Sequence, residues 1–151
     1  MHLVEDAMRY ASVSGAEVQV VGLDPEWDFA YTHVGFTPSV ASYRRVLSKW
    51  TVGLAPVIDN DVTRCKSDLK WLEFTMSGAA LVASDSEAYK RIPEDSIIRV
   101  SGADGFRGAV SELLGDEAER KRMIRRSMFH VKQDRFVGNE SLRNRYTKAL
   151  A

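Results

Sequence analysis

The sequence predicts an α/β domain of the Rossmann-like, doubly wound type, a parallel sheet covered by helices on both faces. Two observations carry that expectation. Strand-like and helix-like segments alternate through most of the 151 residues, the order that builds parallel sheets. The apolar runs VGLAPVI and AALVA lack polar alternation, as strands buried on both sides do. Such domains bind ligands at the carboxyl ends of their strands.

Residues 3–12 read as a helix, with Leu3, Val4, Ala7, Met8 and Ala11 on one side and Ser14-Gly15 as its stop. Residues 17–22 (EVQVVG) form a valine-rich strand that closes at Gly22 before the turn Asp24-Pro25. Residues 26–38 are irregular and aromatic, with a short strand near 32–36. Ser39 is a good N-cap for a helix carrying Val40, Tyr43, Leu47 and Trp50 at helical spacing. A strand at 51–55 closes at Pro56, and the polar loop Asp59-Asn60-Asp61 follows. A helix opened by Cys65-Lys66-Ser67-Asp68 then runs to Gly78, and residues 79–83 form the next strand. One helical turn at 87–91, a strand at 96–100, and helices at 104–114, 117–134 and 140–150 complete the chain. The expected division is one domain over residues 1–133 and a C-terminal helix over 134–151, packed on that domain or on a partner domain.

Composition narrows the function classes. A chain of this length with 44% hydrophobic residues supports one domain with a real core. No apolar run nears the roughly 20 residues that span a bilayer, and the N-terminus lacks a basic region followed by an apolar core. The single Cys65 excludes an intrachain disulfide and fits a reducing, cytoplasmic setting. With three scattered histidines and one cysteine, no metal site is expected. The zero net charge hides an asymmetry: residues 1–116 hold 11 basic and 17 acidic side chains, and residues 117–151 hold 10 and 4.

The chemistry concentrates between residues 51 and 85. At about 100° per residue, Leu69, Leu72 and Met76 share one helix face and Glu73 falls inside it. A carboxylate there must be desolvated, paired or liganded. It either accepts hydrogen bonds from sugar or ribose hydroxyls, or pairs with Lys66, Lys70 or a backbone group. The segment Cys65-Lys66-Ser67-Asp68 opens a helix just after a strand, where free N–H groups and the macrodipole favour an anion. Lys66 and Lys70 add positive charge; the alternative is an ordinary capped helix with solvated lysines. Cys65, beside a helix N-terminus and a lysine, has a nucleophile's surroundings but no histidine near it in sequence. His33 reads as a loop histidine. Arg120, Lys121, Arg122, Arg125, Arg126 and Lys132 form either a solvated helix face or a docking surface.

The run VGLAPVIDNDVTRCKSDLKWLEFTMSGAALVASDSEAY resembles the donor-binding, C-terminal half of GT-B glycosyltransferases of group 1 (family 4-like). Those proteins carry a strand like DIGLAPL, a K-S-x-x-K-x-x-E helix, then a G-x-P-V-V-A-S strand and a small turn. The resemblance is most specific over residues 50–90 and looser over 16–150. It implies that Glu73 binds ribose, that Lys66, Ser67, Asp68 and Leu69 start the helix meeting the donor pyrophosphate, and that Lys70 is the lysine of K-x-x-E. Many members carry a second glutamate, on the donor sugar, where this chain has Cys65. Gly78 and Ala79-Ala80 replace the usual G-x-P. On that resemblance the chain starts after the domain's first strand, near the sheet centre. It is then a fragment, or another chain supplies the strand, or residues 16–22 pair directly with 51–55.

The resemblance implies transfer of a hexose from a UDP- or GDP-linked donor to a sugar, lipid or protein acceptor. The leaving diphosphate would be stabilised by the helix N-terminus, Lys66 and Lys70, with no cofactor and with a separate acceptor-binding domain or chain. The competing reading is a non-catalytic interaction module that docks through its basic C-terminal segment, with peripheral membrane contact among the options. Nucleic acid is not an expected partner, since that segment has few aromatics for stacking and the body is acidic.

Overall fold

A computed structural model describes residues 2–58 and 60–135. In chain order the elements are α1 (His2–Val13), β1 (Gln19–Val21), β2 (Thr32–Val34), α2 (Val40–Leu47), β3 (Val52–Ala55), α3 (Asp61–Arg64), α4 (Leu69–Ser77), β4 (Ala80–Ser84), β5 (Ile98–Val100), α5 (Gly102–Gly115) and α6 (Glu117–Asp134), with 3-10 turns at Glu87–Tyr89 and Glu94–Ser96. The helix expected at 140–150 lies outside the described residues.

Every strand pairing is parallel. β3, β4 and β5 form one sheet in that order, with Val52 opposite Ala80, Leu54 opposite Val82, and Val82 opposite Ile98. β1 and β2 form a second, smaller sheet, with Gln19 opposite Thr32. The single sheet expected from the alternation is thus divided. Residues 19–21 pair with 32–34 and not with 52–55, so the direct pairing of the 16–22 and 51–55 segments is not formed. The two sheets are joined instead through side chains: the indole Nε1 of Trp50 donates to Oε1 of Gln19 at 2.6 Å.

β4 is buried along its whole length, and its alternating side chains feed two cores. Ala80 and Val82 pack with Val4, Ala7 and Ala11 of α1 and Phe106, Val110 and Leu113 of α5. Leu81 and Ala83 pack with Leu47 of α2, Trp71 and Phe74 of α4 and Val131 of α6. A strand apolar on both sides needs helices on both sides, which is the doubly wound arrangement.

Local chemistry explains most element ends. Ser39 caps α2 in a reciprocal box with Ser42, as its position suggests. Gly78 closes α4 at φ 82°, a left-handed conformation, with its N–H donated back to Phe74. Gly53 in β3 is required for a different reason. A Cβ built there would sit 2.4 Å from the Phe74 ring, and Phe74 is buried and stacked on Trp50 with centroids 5.7 Å apart.

Replacing Gly53 by alanine should therefore destabilise the fold by about 1–3 kcal/mol, the usual cost of forcing extra volume into a packed core. Urea denaturation measures this, and an unchanged midpoint would show that Phe74 can move aside.

Candidate functional site

Topology places the site. In a parallel strand–helix–strand unit the helix runs back against the strands, so α4 begins at the carboxyl edge where β3 ends. That edge is tied together where the Val57 N–H, just past β3, donates to the Ser84 hydroxyl at the end of β4 at 2.8 Å. α4 is pinned by Trp71, Phe74 and Thr75, all buried. Trp71 also donates from its indole to the Ser96 carbonyl at 3.2 Å.

This buried face differs from the expected one. Leu69 and Met76 are about half exposed, so the Leu69–Leu72–Met76 stripe is not the core face of α4. Trp71, Phe74 and Thr75, at i, i+3 and i+4, fit the helical period as well as Leu69, Leu72 and Met76 at i, i+3 and i+7, and the large rings outcompete the smaller side chains for the sheet. Glu73 consequently lies at the boundary of the core, its side chain 23% exposed. It is paired. Nζ of Lys70 lies 2.8 Å from Oε2 of Glu73 and donates to Oη of Tyr43, also at 2.8 Å. The Tyr43 hydroxyl donates in turn to Oε2 of Glu73 at 3.3 Å. The ammonium also sits 5.0 Å from the Tyr43 ring centroid. Burial pulls the Lys70 pKa down, but the bonds to Glu73 and Tyr43 outweigh it and leave the group above the ordinary lysine value. Among the described residues both hydrogen bonds to Glu73 fall on Oε2, which leaves Oε1 for another donor.

The segment before α4 departs from expectation. Residues 65–68 do not open a helix directly after the strand loop. Asn60 caps a separate short helix, α3, in a reciprocal box with Thr63, and Cys65 closes it. The capping box nucleates a turn earlier than the apolar pattern suggests. Cys65 therefore sits at the C-terminal end of a helix, exposed, its Sγ 3.5 Å from the Asp61 carbonyl. The helix N-terminus that made it a candidate nucleophile is not beside it. Lys66 and Ser67 are exposed in the link between α3 and α4, and Asp68 is the N-cap residue of α4.

That cap is unusual. The Asp68 side chain makes no capping hydrogen bond; its carboxylate pairs with Arg135 at the end of α6. Among the described residues no acceptor meets the N–H groups of Leu69 or Lys70, so the first turn of α4 presents free donors. The turn after β4 borders the same region. Burial raises the Tyr89 phenol above its ordinary pKa; Lys70 opposes, and the Asp68 and Glu73 carboxylates add to the rise. Ser86, at the head of that turn, has a buried hydroxyl with no hydrogen-bond partner among the described residues.

Tyr43, Arg135 and Ser86 were not singled out by sequence. Tyr43 reads there as one more apolar position of α2, and only the hydroxyl's reach to Lys70 reveals its role. Residues of the basic helix are largely engaged: Lys121 with Glu117 at 2.7 Å, Arg126 with Asp95 at 3.7 Å, and Arg120 with the Leu113 and Leu114 carbonyls. Its Met123, Ser127 and Val131 are buried, so α6 belongs to the core as well as to the surface. His33 lies in β2, not a loop, with Nε2 2.7 Å from the Gly22 carbonyl oxygen. A cleft of about 280 Å³ lined by Gln19, Val34, Thr37, Ser42, Arg45, Val46 and Lys49 shares no residue with the Glu73 cluster. Among the described residues no group of three or more His, Cys, Asp or Glu side chains could hold a metal ion, and no helix is long and apolar enough to cross a membrane.

An uncapped helix start at the carboxyl edge of a parallel sheet, with a paired lysine and glutamate one turn along, is an arrangement suited to a phosphorylated, hydroxyl-bearing ligand. The family model described as glycosyl transferase-like matches residues 2–151. The chain belongs to that family, as the K-S-x-x-K-x-x-E resemblance implies, and its fold is the Rossmann-like α/β half domain expected. Membership assigns it to glycosyl transfer, with a nucleotide-sugar donor and an acceptor as the general reactants. No curated protein matches the chain.

Tyr43→Phe should cost about 1–2 kcal/mol of stability, the net worth of the two partly buried hydrogen bonds its hydroxyl makes with Lys70 and Glu73; an unaltered denaturation curve would mean that the hydroxyl is idle. Because the Lys70 pKa is raised in the folded state, its stabilising contribution is present below the unfolded value and is lost only as pH rises through the higher folded one. The difference in Tm between wild type and Lys70→Met should accordingly be constant between about pH 6 and about pH 9.

Proposed function

We propose that this domain is the donor-binding half of a GT-B, group 1 glycosyltransferase and binds the nucleoside diphosphate of a UDP- or GDP-sugar along the start of α4. The observation that carries the proposal is the pairing of Glu73 with Lys70 beside the uncapped first turn of that helix. The diphosphate accepts from the free N–H groups of Leu69 and Lys70, with Lys66 and Lys70 supplying charge and Ser67 a hydroxyl. The ribose hydroxyls donate to Oε1 of Glu73, while Lys70 and Tyr43 hold Oε2 and fix the carboxylate's orientation. Asp68 shapes the helix start without occupying it.

Charge placed there acts on the leaving group. As the glycosidic bond to the diphosphate breaks, negative charge grows on the bridging oxygen, and preorganised donors stabilise it more than they stabilise the ground state. Cys65, exposed and standing where many members of the family carry a glutamate on the donor sugar, is the position for contact with the transferred hexose. A separate acceptor-binding domain or chain supplies the sugar, lipid or protein acceptor, in the cytoplasm, with peripheral membrane contact where that acceptor is a lipid. Cys65 in the glutamate position also supports a second reading, a domain that keeps the fold and binds nucleotide without turnover.

Calorimetry with UDP and GDP tests the assignment. One of them should bind, and Glu73→Ala should weaken it by about tenfold, as losing a charged hydrogen-bond acceptor does. If neither nucleotide binds, or if Glu73→Ala binds as wild type does, the site is wrongly assigned.

A further inference from the structure

We infer that Arg135 is a positioning residue of this site, which keeps the first turn of α4 open by holding the Asp68 carboxylate away from it. The inference rests on the donor-site reading above and adds a residue 67 positions from Asp68 in sequence, on a helix outside the motif.

Aspartate is among the strongest N-capping residues because its carboxylate accepts from the N–H groups two or three residues past the cap. Asp116 does this for α6, accepting from the Glu119 N–H at 2.8 Å. Asp68 holds the same position in α4 and does not cap. Its side chain, 13% exposed, is turned to the Arg135 guanidinium instead. Arg135 can reach it because α6 is fixed: the Ser127 hydroxyl donates to the Ser96 carbonyl at 2.7 Å, Val131 is buried against the Trp71 and Phe74 core, and the Arg135 N–H closes the helix on Val131.

Two consequences follow from the chemistry. A carboxylate freed from Arg135 would take up the idle Lys70 N–H, since it would otherwise be a largely buried, unpaired charge. It would then occupy the place of an anion with a charge of the same sign. Pairing with Arg135 removes both obstacles at once. Ser86, on the turn whose Tyr89 feels the charges of Lys70 and Asp68, also keeps a buried hydroxyl with no hydrogen-bond partner among the described residues.

The test uses the full chain, amide hydrogen exchange, and inorganic pyrophosphate as the probe. In Arg135→Ala the Lys70 amide should become protected without ligand, as Asp68 caps the helix. Pyrophosphate affinity should fall by about tenfold, the scale of a charge placed at a helix end. Adding Asp68→Ala to Arg135→Ala should restore affinity to within about threefold of wild type, and Arg135→Lys should retain most of it. Unchanged amide exchange in Arg135→Ala, or a loss that the second substitution fails to restore, overturns the role given to Arg135. Wild type that binds no pyrophosphate overturns the donor-site reading and this inference with it.

Discussion

The Phe74 ring lies directly on the backbone of Gly53, closer than any side chain at that position would allow. This contact sets how deeply α4 sits on the sheet, and the site inherits its geometry from it. With Phe74 down, Trp71 and Thr75 are carried into the same core, and Glu73, one position before Phe74, is held at the margin rather than in solvent or in the interior. A glycine in the strand and an aromatic ring on the helix thus decide the environment of a carboxylate that touches neither.

At that margin electrostatics favour a paired but incomplete arrangement. A fully buried glutamate would demand complete neutralisation, and a fully exposed one would gain little from any partner. Among the described residues Glu73 has its partners on one oxygen, from Lys70 on its own helix and Tyr43 on α2. Two helices are therefore needed to orient one carboxylate. A third, α6, acts on the other end of the site through Arg135 and Asp68. α6, the described part of the basic C-terminal segment, takes part in the domain's own architecture as well as presenting charge outward.

Most of the fold was legible because the strong signals were local. The Ser39 cap, the Gly78 stop and the uninterrupted apolar run of β4 each have one physical meaning, and all three are realised. The division of the sheet was not legible, because strand pairing is a non-local choice and a three-residue β1 carries no register of its own. The apolar face of α4 was misplaced since Leu69, Leu72 and Met76 fit the helical period as well as Trp71, Phe74 and Thr75 do; ring size, not period, decides between them. Lys70 and Glu73 were found because they lie one turn apart on one helix. Tyr43 and Arg135 were not, since their hydrogen bonds span 27 and 67 residues and no local pattern encodes such a contact.

The central claim is that one ligand uses both ends of this arrangement, the open turn of α4 and the free oxygen of Glu73. The most direct measurement is a crystal structure of the domain with the nucleoside diphosphate that binds it. The account predicts the diphosphate on the Leu69 and Lys70 N–H groups and the ribose hydroxyls on Oε1 of Glu73, with Lys70 and Tyr43 still on Oε2. A nucleotide bound elsewhere, or bound there with the Glu73 carboxylate turned away, would contradict it.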